Sequence, residues 1–149
     1  ERAELLRYGE NPHQAGARYR EIGVHGMWDE AIQHKGTALS FLNLFDAEAA
    51  WRLVNEFSAP AAVIVKHTNA CGAAVAADPT AAFTAAWECD PVSAFGGVVA
   101  LNRPVDPATA DVLEHAASSS SHRRRSTSRS RRCPPPPPPR PRCQCRPRR

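Results

Sequence analysis

Ala61-Ala62-Val63-Ile64-Val65-Lys66-His67-Thr68-Asn69-Ala70-Cys71-Gly72 is a short apolar run that stops abruptly at a lysine, a histidine and a set of turn formers. The run is continuous rather than alternating and is β-branched at Val63, Ile64 and Val65, the pattern of a strand buried on both faces. Thr68, Asn69 and Gly72 suit a tight turn. Lys66 and His67 therefore leave the strand at its carboxyl end, where ligands collect in α/β sheets. Adjacent side chains on an extended backbone diverge, but a turn beginning at His67 lets both face one cleft. A neighbouring cation disfavours imidazolium and leaves neutral imidazole as a general base near pH 7. Spacing alone leaves a second reading open, in which the lysine snorkels to solvent and the histidine bonds the turn.

Outward from this strand the pattern alternates between helix and strand, which predicts an α/β domain over residues 1–117. On the amino-terminal side, Phe45, Ala49 and Leu53, with Ala50, Val54 and Phe57 beside them, recur at helical spacing and predict a helix from about Asn43 to Phe57. On the carboxyl side Asp78-Pro79 is a cap followed by proline at the first helical position, opening a helix to about Cys89. Gly97–Leu101 reads as a second buried strand. Asp106-Pro107 repeats the cap and opens a helix that turns Ala110, Leu113 and Ala116 inward. The first 20 residues contain the turn Gly9-Glu10-Asn11-Pro12 and read as an extended arm with a short strand near Ala17–Tyr19.

Two further segments have chemical content. Ser93-Ala94-Phe95-Gly96-Gly97 places two flexible residues before a strand, either for close approach of a ligand to the backbone or as a simple bend. It contains neither a dinucleotide-binding fingerprint nor a phosphate-binding P-loop. In Leu6-Arg7-Tyr8-Gly9-Glu10-Asn11-Pro12-His13-Gln14, Arg7 can grip a phosphate or carboxylate with its fork and Tyr8 can stack or hydrogen-bond; a solvated polar arm is the alternative. His13, His25 and His34 have no ligand spacing and read as surface residues.

The formal charge of +4 sums two unlike regions. Residues 118–149 hold 11 of the 19 Lys and Arg and no Asp or Glu, so residues 1–117 carry 8 basic against 15 acidic side chains. The tail has no aliphatic or aromatic side chain to bury and is expected to be disordered, with polyproline II from Pro134 to Pro139. It reads either as a Ser/Arg-rich segment that binds RNA phosphates, the basis of an alternative function as a nucleic-acid-binding module, or as the product of a shifted reading frame. Cys133, Cys143 and Cys145 lack the paired spacing of zinc modules. Cys71 and Cys89 read as buried thiols. No apolar run approaches the roughly 18–20 residues of a membrane-spanning helix, and no secretory signal is present, so the expected compartment is the cytosol.

Four strings in order, LRYGENPHQ, LSFLNLFDAEAAWRLVNEF, AAVIVKHTNACG and CDPVSAFGGVVALNRPVD, resemble the bifunctional purine biosynthesis family, in its AICAR transformylase (phosphoribosylaminoimidazolecarboxamide formyltransferase) region, over residues 4 to 115. The resemblance implies a cytidine-deaminase-like three-layer α/β fold without zinc; the H-x-E and P-C-x-x-C signature of the zinc enzymes is absent from this sequence. It implies formyl transfer from the co-substrate 10-formyltetrahydrofolate to the 5-amino group of AICAR, with no metal in the chemistry. By the family's pattern His67 takes a proton from the amine, Lys66 assists, and Arg7, Tyr8, Phe95 and Gly96 bind the nucleotide. The sequence departs from the pattern at Ala70, where proline is usual, and at Thr37, Phe41 and Leu42, where lysine, tyrosine and asparagine are usual. The family's IMP cyclohydrolase domain of about 200 residues and the second half of its transformylase are not in this sequence. The family also shares its active site across a homodimer. A chain of this length is therefore expected to be inactive alone.

Overall fold

A computed structural model describes residues 1–122 of the chain. The elements run β1 (Arg2–Leu6), β2 (Gly16–Tyr19), α1 (Met27–Glu30), α2 (Phe41–Val54), β3 (Ala61–Lys66), β4 (Asn69–Val75), α3 (Pro79–Cys89), α4 (Pro91–Ala94), β5 (Val98–Leu101) and α5 (Pro107–His122). The alternation of helix and strand bears out the α/β expectation. β1 and β2 form a two-stranded antiparallel arm, and β4-β3-β5 form the central sheet.

β3 is the middle of the molecule. All five of its apolar residues, Ala61 to Val65, are at most 1% exposed. Alternate side chains divide between two clusters, as the pleat requires. Ala62 and Ile64 pack with Ala82, Phe83, Ala86 and Ala94 under α3 and α4, with Val112, Leu113 and Ala116 of α5 at the margin. Ala61, Val63 and Val65 pack with Ala50 and Val54 of α2, with Leu53, Phe57, Val98 and Ala100 alongside. The result is three layers: α2, the sheet, and α3 to α5.

Both pairings of β3 are antiparallel, Lys66 opposite Asn69 of β4 and Val65 opposite Val98 of β5. The carboxyl ends of the strands therefore do not gather along one edge, as they do in a parallel α/β sheet. The carboxyl end of β3 lies instead beside the amino ends of β4 and β5.

Several expectations are corrected. The tight turn is confined to His67 and Thr68; Asn69 and Gly72, read as turn formers, belong to β4, because β3 offers them a hydrogen-bond ladder. Gly72 is a strand residue opposite Ile64, with the register slipping between Ile64 and Val65, and it lies against α3. A Cβ there would stand 1.9 Å from the Ala86 carbonyl oxygen. Helix α2 starts at Phe41, capped by Ser40, whose Oγ accepts from the Asn43 amide while Asn43 Oδ1 accepts from the Ser40 amide and hydroxyl. The face of α2 that packs inward carries Leu44, Ala50 and Val54, and it leaves Phe45 exposed, stacked on Phe41 with ring centroids 5.3 Å apart. On α5 the inward residue is Thr109, not Ala110, because the Thr80 hydroxyl meets the Thr109 hydroxyl at 2.9 Å and satisfies it in the core. Both thiols are free, Cys71 half-buried and Cys89 exposed rather than buried. Helix α5 continues past Ala117 to His122; the readings that concern residues 123–149, including Cys133, Cys143, Cys145 and the proline run, lie outside the described residues.

Gly72→Ala must push α3 off the sheet or bend β4. The expected loss is about 3 kcal/mol or more, the upper range for overpacking, measured as a fall in the urea midpoint; a change below about 1 kcal/mol would contradict the close approach of α3 and β4.

Candidate functional site

The end of β3 is a two-residue hairpin. Lys66 pairs with Asn69, and His67 and Thr68 between them have φ of 52° and 62°. Positive φ at both central positions is the type I′ requirement, normally met by Asn-Gly or Gly-Gly. Among the described residues no other non-glycine has positive φ. Histidine enters this region more readily than most residues, whereas a β-branched threonine there is an outlier, and each such residue costs about 1–3 kcal/mol. The hairpin holds an exposed imidazole at its tip against that cost.

Hydrogen bonds surround the tip. The Thr68 amide donates to Asp46 Oδ1 of α2 at 2.7 Å, and Asn69 Nδ2 and Thr68 Oγ1 donate to the His67 carbonyl at 2.9 and 2.6 Å. Lys66 is half-buried, and its Nζ donates to the Phe95 carbonyl at 2.9 Å. That bond draws the loop after α4 toward the end of β3. Gly96 there has φ of 74° with open space where a Cβ would be, whereas a Cβ on Gly97 would meet the Val65 carbonyl at 3.0 Å. Gly97 is thus needed for close approach to the chain's own β3 backbone, and Gly96 supplies the bend. Lys66, His67, Phe95 and Gly96 are brought together at one end of the sheet.

Asp90-Pro91 makes the same cap signal as Asp78-Pro79 and Asp106-Pro107, and it opens α4, a turn of helix absent from the sequence reading. Asp90 Oδ1 accepts from the Val92 and Ser93 amides at 3.2 and 3.0 Å, and Oδ2 from the Ser93 hydroxyl at 2.5 Å. The Ser93 hydroxyl, then its amide, hold the Asp90 carboxyl below the usual carboxylate range.

Arg7 and Tyr8 form a separate group at the amino end of α2. The Arg7 amide donates to the Leu39 carbonyl and the Phe41 amide to the Tyr8 carbonyl, at 2.9 and 3.1 Å. The Arg7 guanidinium carbon lies 4.8 Å from the Tyr8 ring centroid; Nη2 donates to the Tyr8 hydroxyl at 3.1 Å and Nη1 to Thr37 Oγ1 at 3.2 Å. Thr37, one of the departures from the family pattern, therefore makes a polar contact. Hydrogen bonding with Ser40 first, then with Arg7, lowers the Tyr8 phenol below its ordinary value.

No hydrogen bond, ion pair or ring contact joins Arg7 or Tyr8 to Lys66 or His67; α2 links the two groups, meeting Tyr8 at Ser40 and Thr68 at Asp46. Two open cavities flank α2, of ≈ 380 Å³ against the arm and ≈ 650 Å³ beside Arg52 and Thr68, and none of the six candidate residues lines either. His13, His25 and His34 are exposed. Among the described residues no three of His, Cys, Asp and Glu form a metal-holding group, and no helix is long and apolar enough to cross a membrane.

The family model for the AICARFT/IMPCHase bienzyme matches residues 1–119. The chain is similar to the bifunctional purine biosynthesis protein PurH of Sorangium cellulosum, 55% identical over 116 residues that make up 76% of this chain and 22% of that protein. It is likewise similar to PurH of Bacillus subtilis, 47% identical over 116 residues, 77% of this chain and 23% of the relative. The chain thus spans less than a quarter of the length of the curated relatives it matches.

The lowered carboxyl of Asp90 sets a pH dependence. Its stabilisation is fully present above the unfolded carboxylate value of about 3.9 and is lost as pH falls through the lower folded value. Asp90→Asn, which keeps a capping oxygen but cannot ionise, is expected to flatten the acid limb of stability, followed by urea unfolding from neutral pH downward. An unchanged acid limb in the variant would show that the cap is not linked to folding.

Proposed function

The chain belongs to the AICARFT/IMPCHase bienzyme family, and from that premise we propose that it carries part of the transformylase site of purine biosynthesis. The reaction is formyl transfer from 10-formyltetrahydrofolate to the 5-amino group of AICAR. The observation that supports this reading most is the end of β3, where a hairpin tip presents His67 while the bond from Lys66 to the Phe95 carbonyl gathers the glycine turn beside it.

An amine on an aromatic ring conjugated to a carboxamide is a poor nucleophile, so a positioned base matters; such a base contributes about 10²–10⁴-fold. In this reading the amine nitrogen bonds to the formyl carbon as His67 takes its proton. The carbon's bond to the folate nitrogen then breaks, and that nitrogen is protonated. Lys66, a cation half withdrawn from water, stabilises negative charge developing on the formyl oxygen. Arg7, stacked on Tyr8, offers its fork to the nucleotide's 5′-phosphate. Phe95 and Gly96 face the nucleotide, and the open space at Gly96 leaves room for it. The three layers fit the cytidine-deaminase-like fold that the family implies, operating without zinc, and the family homodimer and a cytosolic location belong to the same proposal.

The described part of the chain supplies one wall of such a site, and we propose that the chain alone does not turn over. The test is AICAR binding by calorimetry to the full chain. Saturable binding should weaken at least tenfold in Arg7→Ala, since a charged hydrogen-bond partner contributes about 1.5–3 kcal/mol, and also in His67→Ala. No binding by the wild type, or equal affinity in both variants, overturns the reading, and formyl transfer by the chain alone overturns the proposed inactivity.

A further inference from the structure

We infer that Asp46 is a positioning residue for His67. The inference rests on the formyl-transfer reading for its purpose and on the hairpin alone for its geometry. In a two-residue hairpin with both central residues at positive φ, the ladder bonds close between the flanking residues, here Lys66 and Asn69, and the amide of the second central residue has no partner in the ladder. That residue is Thr68, and its amide donates to Asp46 Oδ1 at 2.7 Å. The other bonds at the tip, from Asn69 Nδ2 and Thr68 Oγ1 to the His67 carbonyl, stay within the turn and cannot fix it against the rest of the molecule. The bond to Asp46 ties the tip to another element, 22 residues away in the chain.

The tie has a direction. Helix α2 is anchored by Ala50 and Val54 against β3 and is capped at Ser40, beside Tyr8. Asp46 lies six residues into the chain from Ser40, a rise of about 9 Å along the helix. A rigid helix thus spaces the Arg7–Tyr8 group from the imidazole, which no hydrogen bond or ion pair does. A strained tip with its one external tie cut has every reason to relax: threonine leaves positive φ, and His67 leaves with it. Asp46 therefore holds the base at a fixed distance from the group proposed to grip the phosphate.

The test uses the full chain and three variants: Asp46→Ala, Asp46→Asn, and Asp46→Ala combined with Thr68→Gly. Amide exchange at Thr68 and the His67 ring resonances are measured by NMR without ligand, and AICAR affinity by calorimetry. Asp46→Ala should speed Thr68 exchange at least tenfold, move the His67 resonances, and weaken AICAR about as much as His67→Ala. Asp46→Asn retains an acceptor at Oδ1 and should stay within about threefold of wild type. Glycine holds positive φ unaided, so the double variant should return the His67 resonances and the affinity toward wild type, which loss of general helix packing cannot explain. Wild-type exchange and resonances in Asp46→Ala would overturn the inference. So would a double variant as disordered as a non-folding Asp46→Ala, since Asp46 would then serve the fold rather than the turn. Displaced His67 resonances together with an AICAR affinity indifferent to His67→Ala would support the tie while sinking the formyl-transfer reading, which separates the two failures.

Discussion

The rest of the structure depends on β3 being buried on both faces. Val63, Ile64 and Val65 each gain about 1.5–3 kcal/mol from leaving water, and they do so by meeting helices on opposite sides of the sheet. The same burial fixes the direction in which the strand must end. One residue beyond Val65 the chain becomes cationic and half-buried, and one residue further it is exposed. The core thus carries the hairpin to the surface on a strand that cannot shift register without driving polar residues inward. Strain of about 1–3 kcal/mol at each of His67 and Thr68 is tolerable because the strand behind them contributes more.

The elements most legible in the sequence were those whose causes are local. Asp78-Pro79 and Asp106-Pro107 are cap and first-turn proline in adjacent positions, and α3 and α5 begin there. Ala61–Val65 announced itself by composition. What was not legible was set across the chain. Ala-, Gly- and Asn-containing β4 has weak intrinsic strand preference and exists because β3 pairs with it. Thr109 is buried because a hydroxyl 29 residues earlier in the chain meets it. Helical spacing alone offered two neighbouring faces of α2, and contact with β3 selects the one that carries Ala50 and Val54, with Leu44 rather than Phe45 inward. Asp90-Pro91 is a local signal of the same kind, but the helix it opens is only four residues long, too short to show a helical periodicity.

The candidate site divides along the same line. Residue spacing put Lys66 and His67 at the end of a strand, and resemblance to the family joined Arg7, Tyr8, Phe95 and Gly96 to them. The structure gathers four of the six and holds the other two at the head of α2. Asp46 carried no sequence signal, because an acidic residue on a helix is ordinarily a solvated one; only its distance to the Thr68 amide distinguishes it. Gly72 and Gly97 also changed meaning: the first suited a turn and the second a flexible approach to ligand, yet both are places where backbone meets backbone.

The exposure of the hairpin bears on the proposal that this chain does not turn over alone. A base that takes a proton from a weak amine, and a cation that stabilises an oxyanion, both act most strongly where water is excluded. Here His67 and Gly96 are exposed, and neither cavity beside α2 takes them in. The hairpin supplies orientation: strain, a carboxylate tie and a lysine bridge fix where the imidazole stands. It does not supply enclosure. In relatives of which the matched region makes up less than a quarter, polypeptide beyond that region is the proposed source of that enclosure. On this view the matched region sets the geometry of the reacting groups, and the dry surroundings that make the geometry productive are contributed from elsewhere.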